Sequence, residues 1–129
     1  MMSVTFVGFE KARAELEDDK KQIINDLTNT MRDIGFYVEG KVKESIAGQS
    51  DEPTSVDTGA FLNSVNSAVS SDVSTKTQQV IISTPLDYPF FLEHGTTNIP
   101  ARRHFQNTAA REQEKVREMM QEGVNKSVK

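Results

Sequence analysis

A long run of apolar residues at helical spacing constrains this chain more than any other feature. Between residues 10 and 47 the apolar side chains follow one another mostly at steps of three and four: Leu16, Ile23, Ile24, Leu27, Met31, Ile34, Val38, Val42 and Ile46. Such spacing places them on one stripe of an α-helix, with charged and amide side chains on the opposite side. The pattern predicts a long amphipathic helix, about 55 Å if continuous. A bend is expected near Gly35, and the stripe must be buried by other elements or by a coiled-coil partner.

Alternating apolar residues predict a small antiparallel sheet. Residues Ser3 to Phe9 alternate weakly, which fits either a short edge strand or a lead-in to the long helix. The alternation is clearer over residues 65–73 and 78–84, and a polar turn from Ser74 to Thr77 separates the two runs. Two antiparallel strands fit this pattern. Pro85 should end the second strand, because proline cannot donate a hydrogen bond to a sheet ladder.

The segment 48–56, GQSDEPTSV, should connect the long helix to the sheet as a mobile loop. It contains glycine, proline, serine and two acids, and no apolar anchor before its last residue. Asp57 and Thr58 follow as candidate caps for a helical turn over residues 59–62. The residues expected to lock this turn to the sheet are Phe61 and Leu62.

The stretch from Tyr88 to Ala109, YPFFLEHGTTNIPARRHFQNTA, gathers aromatic residues, two prolines, a Glu-His-Gly-Thr turn and an Arg-Arg pair. The side chains of Tyr88, Phe90, Phe91 and Leu92 are apolar enough to pack a turn against the sheet. Gly95 should adopt a backbone conformation closed to other residues. Pro100 suits the first turn of a second helix that runs to about Ser127. The residues expected to shape the turn, fix the last helix or meet a neighbour are Tyr88, Phe91, Glu93, Gly95, Thr96, Arg102, Arg103 and Phe105.

Together these elements predict an α+β fold, with a long N-terminal helix and a C-terminal helix packed on a small antiparallel β-sheet. The 129 residues suffice for a single domain, 1–129, with one modest core. An apolar fraction of 36 % is low for a globular protein, which leaves part of a hydrophobic face for another subunit to complete. The sequence has no evident signal peptide or membrane-spanning run, so we expect a soluble protein made in a cytoplasm, without membrane contact.

Charge is distributed unevenly along the chain. The net charge of −4 argues against a nonspecific nucleic-acid binder. Residues 48–100 carry 1 basic and 6 acidic side chains, a balance of −5, whereas residues 101–129 carry 7 and 4, a balance of +3. This asymmetry suits head-to-tail contacts between identical subunits and equally suits two solvated faces of a monomer. Arg102 and Arg103 suit either a phosphate at the helix start or pairing with acids of the same or a neighbouring subunit.

No pattern in the sequence predicts catalysis, a cofactor or a metal. The chain lacks cysteine, which excludes disulfides, thiolate catalysis and cysteine-ligated metals. His94 and His104 lack the spacing of a metal site, and neither a Gly-x-Ser-x-Gly elbow nor a phosphate-binding Gly-rich loop is present. We therefore expect a protein that is not an enzyme. The alternative of another class is a small hydrolase that uses Asp57, Glu93 and His94.

Four motifs follow one another along nearly the whole chain. They are Val7-Gly8-Phe9-Glu10, then Asp57-Thr58-Gly59-Ala60-Phe61-Leu62 with Ser64, then Tyr88 to Thr96, and finally Ala101 to Ala109. In order and spacing they resemble the small tail-component proteins of long-tailed bacteriophages and prophages, which are related to head-to-tail joining and tail-completion proteins. The chain departs from that family at Asn63, where Arg is frequent, and at His104, where Pro is usual. These departures concern a charged contact at the short turn and the rigidity of the entry to the last helix.

The resemblance implies a structural virion protein at the head-tail junction, a joining or tail-completion component that forms a ring of six or twelve subunits. Its partners would be further copies of itself, the portal-side connector and the tail-tube proteins, with assembly in the host cytoplasm. DNA would pass through the lumen without specific binding, and an acidic lumen formed by residues 48–100 would let it slide. A tail terminator or a minor capsid-associated protein is the alternative within the same setting, and a bacterial regulator that binds a partner through the long helix is another. The residues that would carry structural and interface roles are Thr58, Gly59, Phe61, Leu62, Tyr88, Phe91, Glu93, Gly95, Thr96, Arg102, Arg103 and Phe105.

Overall fold

The computed structural model describes residues 2–8, 21–55, 59–72, 77–98 and 100–127. The helices and strands in these ranges are β1 (Met2–Gly8), α1 (Lys21–Ile46), α2 (Ala60–Ser64), β2 (Asn66–Asp72), β3 (Thr77–Thr84), α3 (Tyr88–His94), α4 (His104–Arg111) and α5 (Gln113–Ser127). The predicted α+β class, with long helices and one small antiparallel sheet, is confirmed.

The sheet has the strand order β1-β3-β2, and both pairings are antiparallel. Val80 at the middle of β3 pairs with Phe6 of β1 on one side and with Val69 of β2 on the other. Val80 and Ile82 are fully buried, because side chains two apart on a strand share one face and that face lies under α1. The three strands and the end of β3 before Pro85 are as predicted. Residue 73 of the predicted strand and residues 74–76 of the predicted turn lie outside the described residues.

The apolar stripe of α1 forms the centre of the core, as its spacing predicted. Six of its side chains are at most 2 % exposed: Leu27, Met31, Ile34, Val38, Val42 and Ile46. They pack with residues of β3 and of the C-terminal helices, and each such side chain contributes about 1.5–3 kcal/mol on burial. Leu16 and the predicted beginning of the helix lie outside the described residues.

Gly35 lies on the buried side of α1 where the helix crosses the sheet. A Cβ atom at this position would lie 2.7 Å from Cγ2 of Val80 and 3.1 Å from Cβ of Ser67. Real Cβ atoms do not approach other atoms so closely. The glycine therefore permits close approach of helix and sheet, a role different from the bend predicted there.

The C-terminal helical region differs from the single helix predicted from Pro100 to Ser127. The first helix begins at His104, because Arg103 adopts a left-handed conformation with φ 54° and ψ 41°. A second difference is the interruption at Glu112, which has φ −95° and ψ 5° and separates α4 from α5. The Tyr37 hydroxyl donates a hydrogen bond to the Glu112 carboxylate, which ties the interruption to α1 and raises the pKa of Tyr37 to about 12.

The two helix glycines of α1 provide a matched test of the close approach to the sheet. We expect Gly35→Ala to lower the free energy of unfolding by about 1–3 kcal/mol through overpacking against Val80. At Gly40 a Cβ atom would meet nothing within 4 Å, so Gly40→Ala should raise it by about 1 kcal/mol through helix propensity. Urea denaturation of both variants measures the difference, and equal effects would contradict the packing described here.

Candidate functional site

A buried polar cluster joins the end of α1, residues 52–55 and α4. Its centre is His104, the first residue of α4, which is fully buried. Nδ1 of its ring lies 2.8 Å from Oγ of Ser45, and Nε2 lies 2.7 Å from Oγ of Ser55. The members of the polar cluster are Ser45, Glu52, Ser55, Arg102, His104, Asn107 and Arg111.

The Glu52 carboxylate is the main acceptor of the polar cluster. It is 6 % exposed and accepts bonds from Nη1 and Nη2 of Arg111 at 2.8 and 3.0 Å, from Nδ2 of Asn107 at 3.1 Å and from Oγ of Ser45 at 2.5 Å. The Arg111 bonds above all, with those from Ser45 and Asn107, lower the pKa of Glu52 to about 2 despite its burial. Glu52 is therefore ionised, and both of its carboxylate oxygens accept hydrogen bonds.

The segment predicted as a mobile loop is thus attached to the rest of the fold by polar contacts. Glu52 and Ser55 are buried, and the backbone N–H of Ser55 donates to the carbonyl of Ile46 at 2.7 Å. Arg102 donates from Nη1 to the carbonyl of Thr54 at 2.8 Å and to Oγ of Ser55 at 2.9 Å. The anchors of this segment are a carboxylate and a hydroxyl rather than apolar side chains. Its mobility stays a prediction.

The donor and the acceptor can be assigned for each hydrogen bond between Arg102 and Glu52 in the polar cluster. Burial, together with the charge of Arg102, lowers the pKa of His104 to about 4 against the opposing effect of Glu52, so the ring is neutral at pH 7. A neutral imidazole donates from one nitrogen and accepts at the other. Because the Ser45 hydroxyl donates to Glu52, Nδ1–H of His104 donates to Ser45, and Nε2 accepts from Ser55. Ser55 in turn accepts from Arg102, which gives a continuous chain of donors from Arg102 to Glu52.

This arrangement pairs serine hydroxyls with an imidazole, as nucleophilic catalysis does, but it is closed to substrates. Ser45 and His104 are fully buried, and Ser55 is 8 % exposed. Every polar group described in the chain of donors is also occupied by a neighbour within the protein. The cluster therefore fastens three segments together. No set of three acidic, histidine or cysteine side chains suited to a metal occurs within the described ranges.

Glu93 caps helix α4 from outside that helix. Its carboxylate is 3 % exposed and accepts the backbone N–H of Phe105 at 2.9 Å and of Gln106 at 2.8 Å. Helix N-termini leave such N–H groups unpaired and favour a negative charge. Arg103, at the N-cap position, provides no side-chain bond. Glu93 replaces the missing local cap and fixes α3 against α4.

Four of the predicted site residues lie at or against the start of α4, or in the turn before it: Phe61, Phe105, Gly95 and Thr96. The Phe61 ring lies edge-on to His104, with 6.0 Å between ring centroids, and stacks on Phe105 at 6.4 Å. Gly95 has φ 82°, a conformation that favours glycine as predicted. Thr96 accepts the backbone N–H of Asn98 through Oγ1 at 3.2 Å.

The remaining predicted residues of the short helical turn are Asp57, Thr58, Gly59 and Leu62. Thr58 and Asp57 lie outside the described residues. The N-cap of α2 is Gly59, with φ 85° and no side-chain cap. Leu62 is partly buried against the core, and the Ser64 hydroxyl lies 2.6 Å from Oγ1 of Thr84, so this turn is joined to the end of β3.

Of the four residues predicted to pack a turn against the sheet, Leu92 is buried in the core, whereas the three aromatic residues are exposed. Tyr88 is 56 % exposed, and Phe90 and Phe91 are each 49 % exposed. A seven-residue helix buries one side only, and Pro89, Leu92 and Glu93 occupy that side at helical spacing. The exposed residues Tyr88, Phe90 and Phe91 form what we call the aromatic ridge.

The hydrolase constellation of Asp57, Glu93 and His94 is not assembled by the described residues. Both oxygens of Glu93 accept backbone N–H groups in the interior. His94 lies on the exposed side, where its ring contacts Phe90 with 4.6 Å between centroids. Asp57 lies outside the described residues.

The sequence analysis did not identify the main members of the polar cluster. For one of them, Ser45, the sequence contains a pattern that could have identified it. Ser45 follows Val42 by three residues and Val38 by seven, so it falls on the buried stripe of α1, where a polar side chain needs a partner. Glu52, Asn107 and Arg111 have no comparable periodicity. Their pairing depends on how residues 48–55 fold back onto α4, which local patterns do not encode.

Comparisons of the chain with protein-family models, curated proteins and solved structures found no match. Among the helices of the described residues, none has the length and apolar character required to cross a membrane.

The cap that Glu93 provides can be tested by an isosteric change. We expect Glu93→Gln to lower the free energy of unfolding by about 1–3 kcal/mol, because an amide cannot accept both N–H groups and lacks the charge. Glu114→Gln is the matched control: Glu114 is exposed and pairs only locally with Arg117, so its loss should change stability by at most about 0.5 kcal/mol. Equal effects in thermal or urea denaturation would show that Glu93 has no capping role.

Stability should fall with decreasing pH in two steps. His104 is protonated near pH 6.5 when unfolded but near 4 when folded, so the unfolded state binds more protons between these values and folding weakens by on the order of 3 kcal/mol. Glu52 adds a loss from about pH 4.5 down to about 2, where its folded carboxylate finally binds a proton. Urea midpoints of wild type and His104→Gln across pH 7 to 4 test the first step. The variant should lack that dependence, and an unchanged slope would contradict it.

Proposed function

We propose that the chain is a structural virion protein at the head-tail junction of a long-tailed phage or prophage, a joining or tail-completion component that acts as a ring subunit. The observation that carries this proposal is the aromatic ridge on α3. Its partners would be other copies of the chain, the portal-side connector and the tail-tube proteins. In this role the chain would reside at the head-tail junction or tail after assembly in the host cytoplasm.

The aromatic ridge supports a role in assembly because of its composition and its rigid mounting. Half-exposed aromatic side chains are enriched in protein interfaces, where they bury large areas. The opposite side of α3 is fixed by Leu92, which is 1 % exposed, and by the capping contacts of Glu93. A rigid helix thus presents three aromatic rings to the exterior, and little ordering is required when a partner binds.

The interior of the protein supports the same reading. Its buried histidine, serine and carboxylate groups form hydrogen bonds with other groups of the protein. One of these carboxylates, Glu93, fixes α3, which carries the aromatic ridge, to α4. The two openings described on the surface have volumes of about 100 and 110 Å³ and hold neither histidine nor an acid-histidine pair. These features favour a protein that works through its surface rather than through a reaction.

Three of the four motifs on which the phage resemblance depends converge in space. Phe61 of the second motif contacts His104 and Phe105 of the last, and Glu93 of the third motif caps the same helix. Residues far apart in sequence thus build one corner of the molecule. This convergence supports treating the motifs as parts of one structural unit, which is what a shared assembly fold requires.

The proposed acidic lumen must depend on fewer charges than the sequence suggested. Of the six acids in residues 48–100, Glu52 and Glu93 are buried and paired within the fold. Asp51 and Asp87 are exposed. These two exposed carboxylates support a surface that repels DNA phosphates and lets the duplex pass without specific binding.

The role in the virion can be tested in a phage or prophage whose own copy of the gene has been deleted. Wild-type protein supplied in trans should restore infectious particles and appear in purified virions by mass spectrometry. The double variant Phe90→Ser/Phe91→Ser should leave separate heads and tails in electron micrographs. The control is Lys115→Ser, which changes an exposed side chain of α5 outside the four motifs and should complement. Absence of the protein from virions would refute the proposal.

A further inference from the structure

A second apolar surface lies at the edge of the sheet, between α1 and β2. It is a groove of about 100 Å³ lined by Arg32, Phe36, Ser67, Ala68 and Val69. The Phe36 ring at its side is 59 % exposed. β2 is an outer strand of the sheet, so this groove adjoins unpaired backbone groups that proteins commonly cover.

We propose that the aromatic ridge of one copy of this chain docks in the groove between α1 and β2 of the next copy. The groove of about 100 Å³ is smaller than an enclosed cavity of about 150 Å³ that takes up benzene, so it has room for part of one aromatic ring, inserted from its open side. Phe36 supplies a partner for that ring in an edge-to-face or offset arrangement.

The charges beside the two surfaces are complementary. Asp87 is exposed directly before the aromatic ridge, and Arg32 is exposed at the groove, where it now donates to the neighbouring Asn29 on α1. Docking brings a carboxylate toward a guanidinium, and Arg32 can also lie over the face of an inserted ring. Charges placed in this way select the orientation of the contact more than its strength.

The contact is head to tail, because the ridge and the groove are different surfaces of the same chain. In a pair, one copy therefore keeps a free ridge and the other a free groove. Further copies can add at these free surfaces until a ring closes. This step rests on the proposed function, which supplies the ring, and deepens it by naming the surfaces through which the copies meet.

The area available predicts a weak contact between two copies. Three half-exposed aromatic side chains and one shallow groove fall well below the roughly 800 Å² per partner of a stable complex. A pair of copies should therefore dissociate readily, while closure of the ring holds every copy by two contacts and raises the effective affinity.

Cysteine cross-linking tests the contact directly, since the chain contains no cysteine of its own. His94→Cys places a thiol at the end of the ridge, and Ser67→Cys places one in the groove, while all three ridge rings remain. An equimolar mixture of these single variants, mildly oxidised at high protein concentration, should form the mixed disulfide dimer several-fold more than either like pair. Circular dichroism and thermal denaturation verify that both variants are folded.

Two controls make the result specific. Adding Phe91→Ser to the His94→Cys variant should reduce the mixed dimer to the level obtained when exposed Glu114→Cys replaces Ser67→Cys. A mixed dimer no more abundant than that background, or a predominance of His94→Cys pairs, would overturn the proposed contact. If this happens while the wild-type chain is present in virions, the docking inference fails and the virion role stands. Preferential mixed dimers with a chain absent from virions would support the docking and refute the phage role.

Discussion

His104 occupies the point where the end of α1, residues 52–55 and the start of α4 meet. Its ring bonds Ser45 on one side and Ser55 on the other, and the chain of donors continues from Arg102 through these groups to the ionised Glu52. Removing any member would leave a buried polar group without its partner, which costs more than the bond itself contributes. The packing of α4 on α1 and the position of α3, which Glu93 joins to α4, both depend on this interaction.

The molecule separates its interior chemistry from its exterior surface in an unusual way. Residue types associated with catalysis lie inside and are used as fasteners, whereas aromatic residues associated with cores lie outside on α3. The outward position of the aromatic residues has a local cause. Glu93 occupies the inner side of α3 to cap α4, so the remaining sides of that short helix, with Tyr88 and Phe91, face outward. The capping contact thereby fixes the surface through which we propose that the protein assembles.

Sequence patterns predicted the elements that depend on periodic side-chain spacing or on local backbone chemistry. The stripe of α1 from Leu27 to Ile46, the alternation in β3 and the stop at Pro85 are each set by side-chain spacing or backbone chemistry. The start of α4 was mispredicted because Pro100 is a familiar helix opener, while the decisive feature is the left-handed Arg103 followed by a cap from Glu93, eleven residues before His104. Glu52 was missed for a similar reason, because its partner Arg111 is 59 residues away and periodicity carries no information about such pairs.

The central claim is that the aromatic ridge is the working surface and the polar cluster is its internal support. Hydroxyl-radical footprinting of the purified subunit and of the same protein in assembled particles measures side-chain accessibility in both states. The account predicts that Tyr88, Phe90 and Phe91 react in the free subunit and are protected in the particle, while the buried Phe105 reacts in neither. Ridge residues that remain equally reactive after assembly would contradict it.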